Sequence, residues 1–317
     1  MKIAGKGPEL TGHRVLIAAS IIISVIAAVF FISQLVKMKE PTPVEKPQFI
    51  IDLESKGVAV KKNEKDSWEA FYKDYGITMV YIPAGEFTMG SNDYDNEKPP
   101  HKVYLDGYWM GKYEVTFSQY DKYCEETGKK KPSDEGCDRG DHPVIYVSWD
   151  DTAAYCQWLS GKTGLKFKLP TEAQWEKAAR GIDSRKYPWG NTSPSEKIVN
   201  FADKQLWLKK KYSGADKDID DGYACTAPVG SYPLGTSPYG LSDMAGNAWE
   251  WCHDWYDAAY YKNSPLKNPL GPASGSGRVV RGGGWSDGAG DLRCAIRNSV
   301  APAYRVGILG FRLSQDI

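Results

Sequence analysis

Residues 169–180 read LPTEAQWEKAAR, and the rest of the chain is best read outward from this stretch. Pro170 sets the backbone of a turn, and Thr171 with Gln174 three residues later makes a capping-box start. Trp175, Ala178 and Ala179 fall on the following turns, and Gly181 supplies a stop. Two upstream segments begin the same way. Thr116 with Gln119 precedes Tyr120 and Cys124 and ends at Gly128; Ser148 precedes Asp150 and Asp151, then Ala154, Cys156, Trp158 and Leu159. Before these helices, Met79–Ile82 is a β-type run ended by Pro83, Gly85–Gly90 follows, and residues 103–113 alternate enough for one or two more strands. After Gly181 turns dominate: PWGN at 188–191, DKDIDDGY at 216–223, and the glycine triplet 282–284. Central helices, short strands and long structured loops predict an α+β fold rather than a doubly wound sheet.

Composition agrees with a packed body. The 317 residues are 41% hydrophobic and 25% charged, which excludes wholesale disorder. Forty basic residues balance forty acidic ones, so no global field exists to hold a polyanion, and nucleic acid is not an expected partner. The 11 Trp, 20 Tyr and 32 Gly suit a turn-rich fold packed with aromatic plates. Val15–Val36 carries no formal charge over 22 residues, long enough at about 1.5 Å per residue to cross a ~30 Å hydrocarbon core. It predicts a retained signal anchor, with residues 1–14 cytoplasmic and the body exported to the periplasm or beyond. Residues 37–76 are expected to be a polar linker ending in a short amphipathic helix at Asp66–Tyr75, and residues 77–317 the globular domain.

No HExxH, GxSxG, Walker loop or dinucleotide fingerprint is present. The adjacent His253 and Asp254 look like half a proton relay, but neighbouring side chains diverge on most backbones. Six cysteines form no CxxC pair, and zinc or thioredoxin chemistry is not expected. Cys124 with Cys137, and Cys225 with Cys252, are candidate disulfides.

Eight short segments carry a resemblance. They are GEFTMGS at 85–91, YEVT at 113–116, PVIYVSW at 143–149, LPTEAQWE at 169–176, YPWGN at 187–191, GNAWEW at 246–251, RVVRGGGW at 278–285 and GFR at 310–312. In order and spacing they resemble the formylglycine-generating enzyme, or sulfatase-modifying factor, family, bacterial members included. The resemblance implies a C-type-lectin-related α+β fold with little regular secondary structure. In the family's enzymes two cysteines after the glycine-tryptophan segment hold copper(I), for which soft thiolates are suited. Here that stretch reads Gly284-Trp285-Ser286-Asp287-Gly288-Ala289-Gly290-Asp291-Leu292-Arg293-Cys294, without either cysteine and slightly shortened. No catalytic residue and no copper are therefore expected. The resemblance implies calcium as a structural ion at Asp243, Gly246, Ala248 and Glu250, and again at Asn200, Phe201, Asp221 and Tyr223, through hard oxygen ligands. It also matches Cys156 to a position paired with Leu313, and Cys294 to one paired with Ala178.

The expected function is a non-catalytic, membrane-anchored module that binds a peptide, protein or glycan, or acts as a scaffold. Ser286, Asp287, Asp291, Arg293, Asn298, Tyr304 and Arg305 are its expected groove, and truncating Arg293 or Tyr304 is expected to spare stability. The alternatives are a tailoring oxidoreductase of different chemistry and a hypervariable ligand-display protein.

Overall fold

The computed structural model describes residues 46–317, together with Ala27. Apart from Ala27, the expected membrane span lies outside the described residues, as do residues 1–14. Among the described residues no helix is long and apolar enough to cross a membrane. Residues Phe49–Ile317 make one compact unit, and Met1–Gln48 fall outside it.

Helix α1 (Gln48–Ser55) comes first, then β1 (Ala59–Lys62), β2 (Trp68–Tyr72), β3 (Ile77–Ile82), β4 (Gly85–Met89), β5 (His101–Leu105) and β6 (Tyr108–Gly111). Helices α2 (Phe117–Thr127) and α3 (Trp149–Thr163), strand β7 (Phe167–Lys168), and helices α4 (Glu172–Arg180) and α5 (Lys204–Lys210) occupy the middle. Strands β8 (Trp249–Trp255), β9 (Arg278–Arg281), β10 (Arg297–Val300), β11 (Leu309–Gly310) and β12 (Ser314–Asp316) close the chain. One sheet runs β1-β2-β3-β6-β12-β7, a second β10-β9-β8-β11, and β4 pairs with β5. The expected α+β architecture is what forms.

The three expected helix starts are complete capping boxes. Thr116, Ser148 and Thr171 each accept from the amide three residues on, and Gln119, Asp151 and Gln174 bond back. Each box satisfies two amides that the helix itself cannot.

Two expectations fail at the start of the body. Asp66–Tyr75 is not a helix: Trp68–Tyr72 pairs antiparallel with β3, placing Glu69 opposite Val80 and Tyr72 opposite Ile77. Asp66 turns the β1–β2 hairpin at a φ of 58°. Aromatic residues in WEAFY suit a pleated surface, and a partner strand outweighs a marginal local helix. Nor are residues 49–76 all linker, because Ile50 and Leu53 of α1 and Ala70 and Tyr72 of β2 are buried in the main core.

Aromatic plates fill that core. Tyr120, Tyr123, Tyr155 and Phe311 meet at ring-centroid distances of 5.2–6.3 Å. Trp109, Trp175 and Trp251 are almost wholly buried, each contributing on the order of 3 kcal/mol through removal from water. Glycine is required where backbones meet: a Cβ on Gly246 (φ 71°) would lie 2.1 Å from the Asn200 carbonyl, and one on Gly283 (φ 74°) 2.6 Å from that of Asp291.

The disulfide differs from both expected pairs. Cys137 bonds to Cys225, while Cys124, Cys156, Cys252 and Cys294 are free and buried. Cys124 faces inward from α2 and donates to the Lys130 carbonyl, and Cys252 lies inside β8. Only Cys137 is thus left to tie the segment after α2, and it reaches the loop before β8.

Candidate functional site

The stretch from Gly282 to Leu309 leaves β9 through the glycine triplet and returns to β8 through β11. Its first part is pinned. Asp287 accepts from the Trp249 indole at 2.7 Å and from the Gly284 amide at 2.9 Å. Burial raises its carboxyl above the usual range, against the pull of those two donors and with the neighbouring Asp291 adding to the rise. Trp285 is buried, donates to the Gly307 carbonyl at 3.0 Å, and carries the Lys210 ammonium 4.5 Å from its ring. Ser286 and Asp291 are half-buried.

Arg293 is not a groove residue. It is 5% exposed and makes a two-pronged pair with Glu97 at 2.8 and 2.9 Å, with Asp93 at 3.0 Å beside it. Burial alone would raise Glu97, but Arg293 and Ser91 hold its carboxyl below the usual value. The expectation that Arg293 could be truncated without cost to stability is overturned, since removal strands a buried carboxylate. Asn298 is exposed on β10, accepting from the Ser299 amide, and Tyr304 is exposed at 57%.

Arg305, among the expected groove residues, lines a cavity of about 510 Å³. It donates to Asp151 at 2.8 and 2.7 Å, the same carboxylate that closes the α3 capping box. Lys129, Lys130, Lys131 and Tyr146 line the cavity too. The Tyr146 amide donates to the Val306 carbonyl, which ties the two walls together. The lysine triplet is plain in the sequence, but nothing local says that it faces residues 304–306.

The thiols do not suit copper(I). Burial raises Cys124, Cys156, Cys252 and Cys294, with Cys294 pushed up to about 12, so none is a ready thiolate. At the groove Asp287 offers hard oxygens, one of which already accepts two hydrogen bonds. This donor set does not fit copper(I).

The two expected calcium sets differ. Glu250 is bound in a buried pair by Arg312 at 2.6 Å and accepts from the Trp175 indole at 2.7 Å, while the Asp243 carbonyl accepts from the same guanidinium. Arg312 balances one negative charge there, but burial pushes the Asp243 carboxyl up to about 6 and raises that of Glu114, whose Oε2 is buried without a hydrogen-bond partner, so this set still has oxygens and charge to offer a cation. The Asn200 set fits as well. Its Oδ1 is buried without a hydrogen-bond partner, and burial pushes the nearby Asp221 up to about 7, with the Asp203 carboxylate adding to the rise. Among the described residues no three His, Cys, Asp or Glu side chains converge on one point, so such an ion would depend on amide and carbonyl oxygens. His253 is exposed and Asp254 buried, so that pair forms no relay. Asp254 instead accepts from the Glu172 amide at 2.8 Å.

Residues 67–317 match the sulfatase-modifying factor enzyme 1-like domain. The chain is 33% identical over 292 residues to the formylglycine-generating enzyme of Mus musculus, covering 75% of each. Among solved structures, PvdO from Pseudomonas aeruginosa is similar at a TM-score of 0.67 and 26% identity, over 82% of this chain and 98% of that one. Treponema denticola variable protein 1 is similar at 0.59 and 30% identity, over 76% and 95%.

Proposed function

The chain belongs to the sulfatase-modifying factor enzyme 1-like family, and from that premise we propose a non-catalytic binding module, held at a membrane by Val15–Val36, that takes a peptide, protein or glycan on the loops between Ser286 and Leu309. Asp287 carries this reading. With Ser286 it stands where the resemblance puts the first copper cysteine, and one oxygen of its carboxylate holds Trp249 and Gly284 in place. A group that fastens two walls of the groove is a scaffold element, and the buried thiols supply no substitute pair.

Calcium at Asn200, Phe201, Asp221 and Tyr223 would be structural in this module. It would meet the lone Asn200 oxygen and balance the Asp221 carboxylate.

The similarity to Treponema denticola variable protein 1 favours a second reading, ligand display by a surface whose sequence varies between copies. A template repeat and a reverse transcriptase beside the gene would select it.

The copper side is tested by titrating copper(I), held in a coloured chelator complex, with the reduced protein. The expected result is no loss of the chelator colour. Withdrawal of one copper per chain would reject the non-catalytic reading.

A further inference from the structure

The cavity beside Arg305 has a charge that the family resemblance does not explain. Four cations and one carboxylate stand in its wall: Lys129, Lys130, Lys131 and Arg305 against Asp151. Two of these cations show what they hold. Arg305 meets the Asp151 carboxylate at 2.7 Å, and Lys131 meets that of Glu125 at 2.7 Å. Lys129 lies 5.4 Å from the Tyr123 ring, and neither it nor Lys130 has an ion-pair partner among the described residues. All three lysines are exposed; Lys131 is shared between Glu125 and Asp121, and Lys129 leans on Tyr123.

Between the cations the wall is aromatic and apolar. Tyr120, Pro132, Tyr146 and Val147 line the same space. A partner that alternates carboxylates with apolar side chains matches such a wall, whereas a sulfated sugar would leave the apolar part unused. A second lysine triplet also reaches the 304–307 loop through Trp285. Lys210 sits over Trp285, whose indole holds Gly307, and Lys209 and Lys211 flank it, all exposed.

We propose that this module recognises an acidic peptide segment, whose Glu or Asp side chains dock on Lys129, Lys130 and Arg305 while its apolar side chains enter the cavity. The inference rests on the binding-module reading above and adds the charge of the ligand. Because the cations are exposed, the attraction is screened over about 8 Å at physiological salt, and affinity falls as salt rises.

The test uses the full-length chain in detergent and four fluorescent probes: a glutamate–tyrosine decapeptide, its glutamine–tyrosine and lysine–tyrosine counterparts, and a sulfated hexasaccharide. The glutamate peptide is expected to bind most tightly, weakening about tenfold or more when Lys129, Lys130 and Lys131 are all changed to Ser. The melting curve should not move, since exposed lysines of this kind contribute little to stability. Equal affinity for the glutamine peptide, or tighter binding of the lysine peptide, overturns the acidic-ligand inference and leaves the binding-module reading standing. Binding of the hexasaccharide alone also overturns it, in favour of a glycan. Binding of no probe rejects the inference, and copper withdrawal in the chelator titration would then reject the module reading separately.

Discussion

Arg293 and Arg305 lie twelve positions apart in one loop-rich stretch, yet they belong to different kinds of surface. Arg293 has both terminal nitrogens on Glu97, a partner 196 residues away, and is 5% exposed. The Arg305 side chain is 45% exposed and meets Asp151 through the one oxygen, Oδ2, that already caps a helix. Buried, a guanidinium–carboxylate pair becomes part of the framework, because neither charge can be left alone. On a rim the same pair is weak and exchangeable, and a ligand carboxylate can compete for it. The difference shows that a polar residue in a functional loop is a ligand contact only when its charge is not already claimed by the core.

The largest effect that could break this comparison is on Arg293. Arg293→Ala should destabilise the folded body by about 3–5 kcal/mol, because it strands Glu97. Denaturant unfolding reads this directly, and a loss below about 1 kcal/mol would place Arg293 with the rim.

Next in size is a pH effect at another buried group. Burial, with Glu172 nearby, pushes the Asp254 carboxyl up to about 8 from the ordinary 3.8. The folded value lies above the unfolded one, so the native state holds the extra proton between roughly pH 4 and 8. Stability falls as pH rises through that window, by up to about 1.4 kcal/mol per unit from this group. Asp254→Asn, which mimics the neutral acid, should flatten the wild-type decline between pH 6 and 8. A parallel decline in the variant would remove Asp254 as the cause.

Calcium comes third. A ligand bound only by the folded state at a hundred times its Kd adds about 2.7 kcal/mol, so a chelator should lower the melting midpoint of calcium-loaded protein. Asp221→Asn should abolish that response. Identical melts with and without chelator would count against the ion.

Smallest of all is Arg305→Ala, which should change stability by less than about 1 kcal/mol while weakening binding of the glutamate–tyrosine peptide. Unchanged peptide affinity together with a large drop in stability would make Arg305 a framework residue like Arg293.

What was legible in the sequence was mostly local. Thr171 and Gln174 are three residues apart, so their reciprocal cap can be read directly, as can that at Thr116, whereas at Ser148 only the cap and its first-turn acids were legible. The glycine triplet was legible for the same reason, since close backbone approach requires the missing Cβ. The rest depended on partners distant in the chain. Glu97 with Arg293, Glu250 with Arg312 and Cys137 with Cys225 are brought together only by the finished fold. Asp66–Tyr75 failed in the opposite direction, because a local amphipathic pattern lost to a waiting strand edge. In the groove, residue types pointed to a polar ligand surface, but burial decided which of them remained available. Lys129–Lys131 was visible as a basic run without any signal that it would face Arg305.

The central claim is that the position of the first copper cysteine, taken up by Ser286 and Asp287, is no longer reactive, and the most direct measurement is the mass of a cysteine-containing sulfatase peptide after incubation with the purified chain, copper and oxygen. The account predicts no conversion of the cysteine to formylglycine. A loss of about 18 Da, as –CH2SH becomes –CHO, would contradict it, since ordinary thiol oxidation to oxyacids adds oxygen mass instead.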